Sequence, residues 1–591
     1  MAGQHVRRIG WGIAAWVSVL AVALSGGCAR SEPTIEPTDQ PGVFYVSPDG
    51  SDSNPGTLRQ PWRTIQRAAG QLAPGETVYI RGGTYSEQIT PEQSGTAAQP
   101  IVYAAYAGET PVIDGRNEVY RLIEIIGKQH LTFDGLHLQN PFDEWAHVEN
   151  SDHITFRNMV FTNTDLRDRN FQGILFRYSS YNRVVNSLLE NWGAYYPDGD
   201  QSGNHIRIFG DLEAGGYNLI EGNTFIRGAQ GCVMVNAPYN IIRNNVFDNE
   251  WQKGVYVGYF EGDIGGETPG TVFPAVHNLV ENNRFVRHGP SRYQHGGRAY
   301  EESSVGTIFR RNTLQNADYL GAEIVAFGTY AFRSSRNHWY NNVIANNGAA
   351  GFECLSTGIM GTSEPGTQFY GNVFKNNILY DNDLTCDKKP HLVGLRLNPD
   401  NANPPGVSPP LFGMIFAGNL FENTRAEACA RRLQQDGNGY GDCYLYIAGI
   451  NEADAAWFEA RYPHNFWGNV EGVPRFVRYD PPANEFDFHL GPGSPAIDAG
   501  VDLTFASSAG SGTVITVDDA WYFHDGYGGM IAPDSLRVGD ETVSIVAVDY
   551  ETNQVTVDRA LAWEQGTPVN LPFSGSRPDI GAFEVEPSET G

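Results

Sequence analysis

The stretch Asn240–Phe247, "NIIRNNVF", decides the fold. Two branched apolar residues and a closing Val-Phe read as strand. Yet Asn244 and Asn245, of a residue type that favours turns, stand between them. The interruption recurs: "NLIEGNTF" ends at Phe225, "NLVENNRF" at Phe285, "GTIFRRNTL" at Leu314, "NHWYNNVI" at Ile344, "TQFYGNVF" at Phe374 and "GMIFAGNLF" at Phe421. The pattern is apolar-x-x-Asn-x-apolar. It aligns Asn223, Asn245, Asn283, Asn312, Asn342, Asn372 and Asn419. The spacing runs upward from 22 residues (245 − 223), as in a repeat with connections of variable length.

Each unit reads as a strand, a sharp corner and another strand, with side chains alternating at period two. Asparagine tolerates a left-handed corner, and its amide can bond along a stack. The same asparagine is therefore expected to turn the chain and to sit above its equivalent in the coil below. A second motif falls between corners. "NHIRIFG", "GCVMVNA" and "KGVYVGY" align Ile206 with Val233 and Val255, and Ile208 with Val235 and Val257, as inward rows. Each coil then has about three short strands. Helical periodicity is nearly absent, apart from "TIQRAAGQLAPG", a short amphipathic segment suited to capping the open N-terminal end.

The 591 residues carry 41% hydrophobic and 12% aromatic residues, a globular composition, with 68 glycines for turns. Net charge −28 argues against nucleic acid, whose phosphates need a basic face. Arg7 and Arg8 precede the apolar run "IGWGIAAWVSVLAVAL", which ends in "SGGC". This resembles a bacterial lipoprotein signal over residues 1–27, with lipid on Cys28 and, since Ala29 is not Asp, an outer-membrane destination. A Pro- and Glu-rich tether follows over 28–42. Export permits disulfides. Cys429 and Cys443 flank a turn-rich loop, Cys354 and Cys386 form a second plausible pair, and Cys232 is left over as an inert, semi-buried thiol. Spacing leaves this connectivity open.

"FYVSPDGSDSNPGTLRQPWRTIQRAAGQLAPGETVYIRGGTYSEQI" and "GTAAQPIVYAAYAGETPVIDG", with the late "GSPAIDAG" and "RPDIGAFE", are similar to secreted right-handed parallel β-helix proteins of the pectate lyase superfamily. The resemblance implies an all-β solenoid over 43–504, with a last strand and tail in 573–591. Residues 505–572 alternate apolar and polar between turn signals and read as a small antiparallel β insert on the C-terminal end, for capping or for carbohydrate contact.

The resemblance also implies a substrate groove along one strand face and its loops. Period two turns His205 and Arg207 outward, with Lys253 and Tyr256 on the next coils, about 4.8 Å apart per coil. The four suit β-elimination of a uronic-acid glycan, which needs a base at C5 and a cation at the carboxylate. Lys253 is the first choice of base, then Arg207, then His205; a solvated loop position for Lys253 and ion pairing for Arg207 are the structural alternatives. Arg298, Glu323, Tyr195 and Tyr259 would contact substrate. "GGRAYEESS" adds Glu301 and Glu302 to the same face. Asp198, Asp200, Glu261 and Asp263 are oxygen donors suited to Ca²⁺. Asp198 and Asp200 could instead serve an inverting hydrolase, and a non-catalytic glycan-binding scaffold is the third reading. The expected partner is a polysaccharide met by a monomer.

Overall fold

The computed structural model describes residues 40–164, 172–195, 201–249, 253–261, 272–289, 297–317, 320–326, 333–347, 357–363, 368–382, 393–398, 413–422, 445–447, 450–452 and 455–586. The chain from Pro41 onward forms one compact unit. It is a right-handed parallel β-helix with three long sheets. The first has 14 strands, from Val43–Val46 to Phe466–Trp467. The second has 13, from Gly83–Tyr85 to Val470–Glu471. The third has 12, from Arg121–Ile126 to Ile450–Glu452, parallel except at its last pair. Each coil gives one strand to each sheet. Thus Ile220 pairs with Ile242, Phe225 with Phe247 and Val233 with Val255. Every backbone group in a strand finds its partner one coil up or down, and the like side chains stack. Phe225, Phe247 and Phe285 lie 4.8 Å apart ring to ring inside the solenoid.

"NIIRNNVF" divides the corner between two asparagines. Asn244 takes the left-handed conformation, with φ 56°. Asn245 does not; its amide forms the ladder. Asn245 Oδ1 accepts from the backbone N–H of Asn223 at 2.9 Å and from its Nδ2 at 3.1 Å. Asn245 in turn donates from N and Nδ2 to Asn283 Oδ1, both at 3.0 Å. The ladder continues through Asn312, Asn342, Asn377 and Asn419 to Asn469. The position before each ladder residue, such as Gly222, Asn282, Arg311, Asn341 and Gly418, has positive φ.

Asn372 is a correction. It accepts from Asn337 N at 3.0 Å, in a second ladder at the other end of the same strands. Asn240, the first residue of the stretch, belongs to that second ladder, between Asn218 and Asn278.

Both ends are closed. Near the N-terminus the helix Ile65–Ala69 is capped by Thr64 and buries Ile65, Ala68 and Ala69 over the first coils. At the far end the helix Ala455–Arg461 lays Phe458 on Phe466 at 5.0 Å. Its Glu459 Oε1 accepts from Asn469 N and Nδ2, which terminates the ladder.

The antiparallel insert is a six-stranded sheet running from Thr504–Phe505 to Pro568–Asn570. It sits on the flank of the solenoid rather than on its C-terminal end. Leu219, Ile241, Leu279 and Ile308 on the outer side of the first sheet form one apolar core with Ile515, Phe523, Leu536 and Val555 of the insert. The corner beside that face carries a stack of rings, Tyr181, Tyr217, Tyr239 and His277, spaced 5.0, 5.1 and 5.4 Å. Gly306 leaves the next place empty, and Trp521 of the insert fills it, 4.6 Å from His277. A Cβ on Gly306 would lie 2.2 Å from the Trp521 ring. Residues 573–586 carry no strand; Ile580 N and Gly581 N donate to Ala496 O and Asn376 O.

Candidate functional site

The third sheet sets the geometry of its outer face. Register aligns Arg121, Glu144, Gln172, Asn204, Gly231, Lys253 and Arg298 in one row. A parallel row holds His147, Leu175, Arg207, Met234, Tyr256, Glu301 and Glu323. The two rows converge on a compact charged cluster. Lys253 Nζ lies 2.9 Å from Glu301 Oε2. Arg298 reaches the same carboxylate at 3.8 Å and forms a direct ion pair with Glu323. The Lys253 ammonium sits 5.3 Å from the centre of the Tyr256 ring. All five side chains are buried or nearly so, where charges interact strongly. Burial pushes the Glu323 carboxyl up to about 7, against the pull of Arg298. Tyr256 is raised by burial and by Glu301, and its hydroxyl donates to Tyr259 O at 3.1 Å, so it stays a phenol.

Arg207 lies in the same row as Tyr256, two strands away, over the Phe209 ring at 4.1 Å. Burial lowers its guanidinium to about 9, which leaves it a cation at neutral pH. The hairpin Phe260–Glu261 with Val272–Phe273 folds back beside this row, and Phe273 packs on Phe209 at 5.4 Å.

His205 is not on this face. It is fully buried in the core, 6.1 Å from the Trp145 ring and 5.8 Å from Phe225. Trp145, Cys232 and Ala299 at the same point of neighbouring strands are buried in that core too. These strands begin with two successive inward residues, the corner residue and then the first of the alternating set. Period two, carried one residue too far, put His205 outside. Burial presses its imidazole down to about 3, so it is neutral and unsuited to proton transfer with substrate. Glu302 is also inward, fully buried between Tyr300 and Ser304.

Tyr259 is 8% exposed beside the cluster. Tyr195 and Glu261 are placed only by their backbones, in short antiparallel pairs. Asp198, Asp200 and Asp263 lie outside the described residues, as do Cys28, Cys354, Cys386, Cys429 and Cys443. Among the described residues no group of three His, Cys, Asp or Glu could hold a metal ion. Glu301 and Glu323 face Lys253 and Arg298, so they offer no cation site. The free thiol Cys232 is buried, and burial raises it far above a reactive value.

Sequence reasoning missed the role of Glu301 as the partner of Lys253. The signal was present, since "GRAYEES" aligned on "QKGVYVG" sets Glu301 beside Tyr256. It also missed a second network at the N-terminal end of the face. There His147 lies between Glu144 at 2.7 Å and Glu149 at 3.1 Å. Burial pulls that imidazole down, but the two carboxylates outweigh it and raise it.

Residues 44–223 match the family described as "Pel9A-like, right handed beta helix region". That match spans under a third of the 591 residues, and over it the chain is similar to a right-handed β-helix region, the fold described above. Pectate lyase PEL9 of Emericella nidulans is 35% identical over 160 residues, which is 23% of this chain and 38% of that one. Pectate lyase L of Dickeya chrysanthemi is 23% identical over 337 residues, 52% of this chain and 72% of the relative. Among solved structures, pectate lyase Pel9A aligns over 92% of this chain and 96% of its own, at 14% identity and TM-score 0.40.

Proposed function

We propose that the protein is a polysaccharide lyase that cleaves a uronic-acid glycan by β-elimination. The observation that carries this reading is the cluster of Lys253, Arg298, Glu301 and Glu323 on the outer face of the third sheet. A substrate carboxylate entering between Lys253 and Arg298 would compete with Glu301 for both cations. Arg298, with Arg207 further along, would neutralise that carboxylate and stabilise the charge that grows on it. Lys253, as the free amine, would take the C5 proton. The electron pair left on C5 forms the C4=C5 double bond as the C4–O bond breaks. The leaving oxygen takes a proton from solvent. A Ca²⁺ requirement would rest on Asp198, Asp200, Glu261 and Asp263, and loss of activity on chelation, restored by Ca²⁺ alone, is its test.

The protein would be exported and anchored through Cys28; incorporation of labelled palmitate that Cys28→Ala abolishes would support this. No helix among the described residues is long and apolar enough to cross a membrane. Incubation with pectin, alginate and glycosaminoglycans decides the reaction. Absorbance of an unsaturated uronide is the expected result for one of them. New reducing ends without that absorbance would mean a hydrolase, and binding without either would mean a scaffold.

A further inference from the structure

The third sheet presents two large aromatic side chains to solvent near its N-terminal end. Tyr120 and Phe142 are each 51% exposed, and their rings stack at 6.0 Å. They stand on adjacent coils: Phe142 N donates to Val119 O and Asp143 N to Tyr120 O. Their backbones lead directly into the strands that begin at Arg121 and Glu144. Arg121 points out of the sheet face and lies over the Tyr120 ring at 5.3 Å, in ion pairs with Glu124 and Glu144. The Tyr120 hydroxyl is held by Asp143, itself 2% exposed. The pair is thus fixed from below and open above. Further along this face Leu175, Phe209 and Phe273 pack on one another. Exposed adjacent rings on a rigid support are the usual platform for the C–H face of a sugar.

The platform stands just before the Arg121 and Glu144 end of the row that holds Lys253. The strands starting at Arg121, Glu144, Gln172, Asn204, Gly231 and Lys253 follow one another in the sheet, which makes five spacings. Five spacings are about 24 Å. A pyranose advances a glycan chain by roughly one such spacing.

We propose that Tyr120 and Phe142 form a remote subsite that holds the distal end of the same glycan chain whose scissile residue lies at Lys253. This inference rests on the lyase reading of the Lys253 cluster. Its occupant is a sugar ring of a long chain, and its consequence is a preference for length. An oligosaccharide too short to span from Lys253 to the rings gains nothing from them. A longer one binds more tightly by about tenfold, the worth of one good aromatic contact.

The test uses oligogalacturonides and oligomannuronates of graded length, with binding measured by calorimetry and cleavage by absorbance. In the unaltered protein affinity should step up about tenfold once the chain exceeds the span. In the Tyr120→Ala/Phe142→Ala double variant the step should vanish while short oligosaccharides bind as before. Half-exposed rings make little of the core, so the variant should unfold at the same urea concentration as its parent. A step that survives in the double variant, or no step in the parent, overturns the proposal. Absence of an unsaturated product in the parent overturns the lyase reading instead, and the binding curves still decide the platform.

Discussion

On the lyase reading Lys253, whose Nζ lies 2.9 Å from Glu301 Oε2, is the group that takes the C5 proton. Lys253→Ala should therefore lower the rate of unsaturated product by on the order of 10²–10⁴-fold, with folding intact by circular dichroism. Retention of full activity would remove this lysine from the mechanism. One residue inward, Glu302 shows how burial alone sets chemistry. It is pushed up to about 8 by burial, and Ser304 Oγ donates to it at 3.0 Å. The folded state then keeps a proton that the unfolded chain gives up near an ordinary carboxylate value of about 4.3. Stability contributed by that protonated form is full at low pH and falls as pH rises toward about 8. Glu584, also raised to about 8 by burial and by Asp579, adds to the same slope. Glu302→Gln keeps the hydrogen bonds without the titration. Urea midpoints measured at acidic and at mildly alkaline pH should accordingly differ less in the variant than in the parent; equal differences would mean that Glu302 is ionised in place.

In each coil the corner separates two properties of asparagine that composition cannot tell apart. Asn245 makes five hydrogen bonds inside the solenoid: it accepts two from Asn223, and it donates two to Asn283 and one to Ile220 O. Asn245→Ala strands the Asn223 amide and the Ile220 carbonyl in the core and should cost about 3 kcal/mol by urea unfolding. Asn244 supplies the left-handed turn at φ 56° and one exposed hydrogen bond, from Nδ2 to Glu221 Oε1 at 3.0 Å. Asn244→Gly should leave stability within about 1 kcal/mol of the parent. Comparable losses in the two variants would refute this division. The same separation explains what the sequence could and could not reveal. The inward rows Ile206, Val233 and Val255 follow from period two and pair in register. Asn372 was set in the wrong ladder because both corners bear an asparagine, five residues apart, as at 240 and 245 or 372 and 377. His205 failed because no pattern of alternation marks where a strand starts to alternate. Lys253 was legible as a loop residue before its strand and Arg298 as a charge one coil on; their shared row and their carboxylate partners were legible only once the register between coils was fixed.

On the scale of the whole molecule, the β insert makes the first sheet a two-sided wall. Its outer residues are apolar because the insert covers them. Charged residues sit in that covered interface too, among them a network centred on Arg310. Arg310, 2% exposed, donates to Asp534 at 2.7 and 2.9 Å, to Glu281 at 2.8 Å and to Tyr340 at 2.9 Å. His524 Nε2 stands 3.0 Å away and is kept neutral by burial. Burial disfavours the Asp534 carboxylate, but Arg310 outweighs it and holds the group below its ordinary value. The stability it gives is present above that ordinary value and is lost as pH falls through the depressed one. Asp534→Ala leaves a buried guanidinium facing only Glu281 and should cost about 3–5 kcal/mol of the insert's hold on the solenoid. Trp521 would then leave the gap over Gly306, and its fluorescence should shift to the red as water reaches the ring. Protease should cut the variant between residues 504 and 570 while the solenoid survives. The Lys253 cluster lies on a different sheet, so turnover of a short oligosaccharide should not change. A variant that keeps its fluorescence and its protease resistance would show that apolar packing alone holds the insert. One that loses turnover along with the Trp521 signal would show that the insert supports the outer face of the third sheet through the core, and that it is more than a cover.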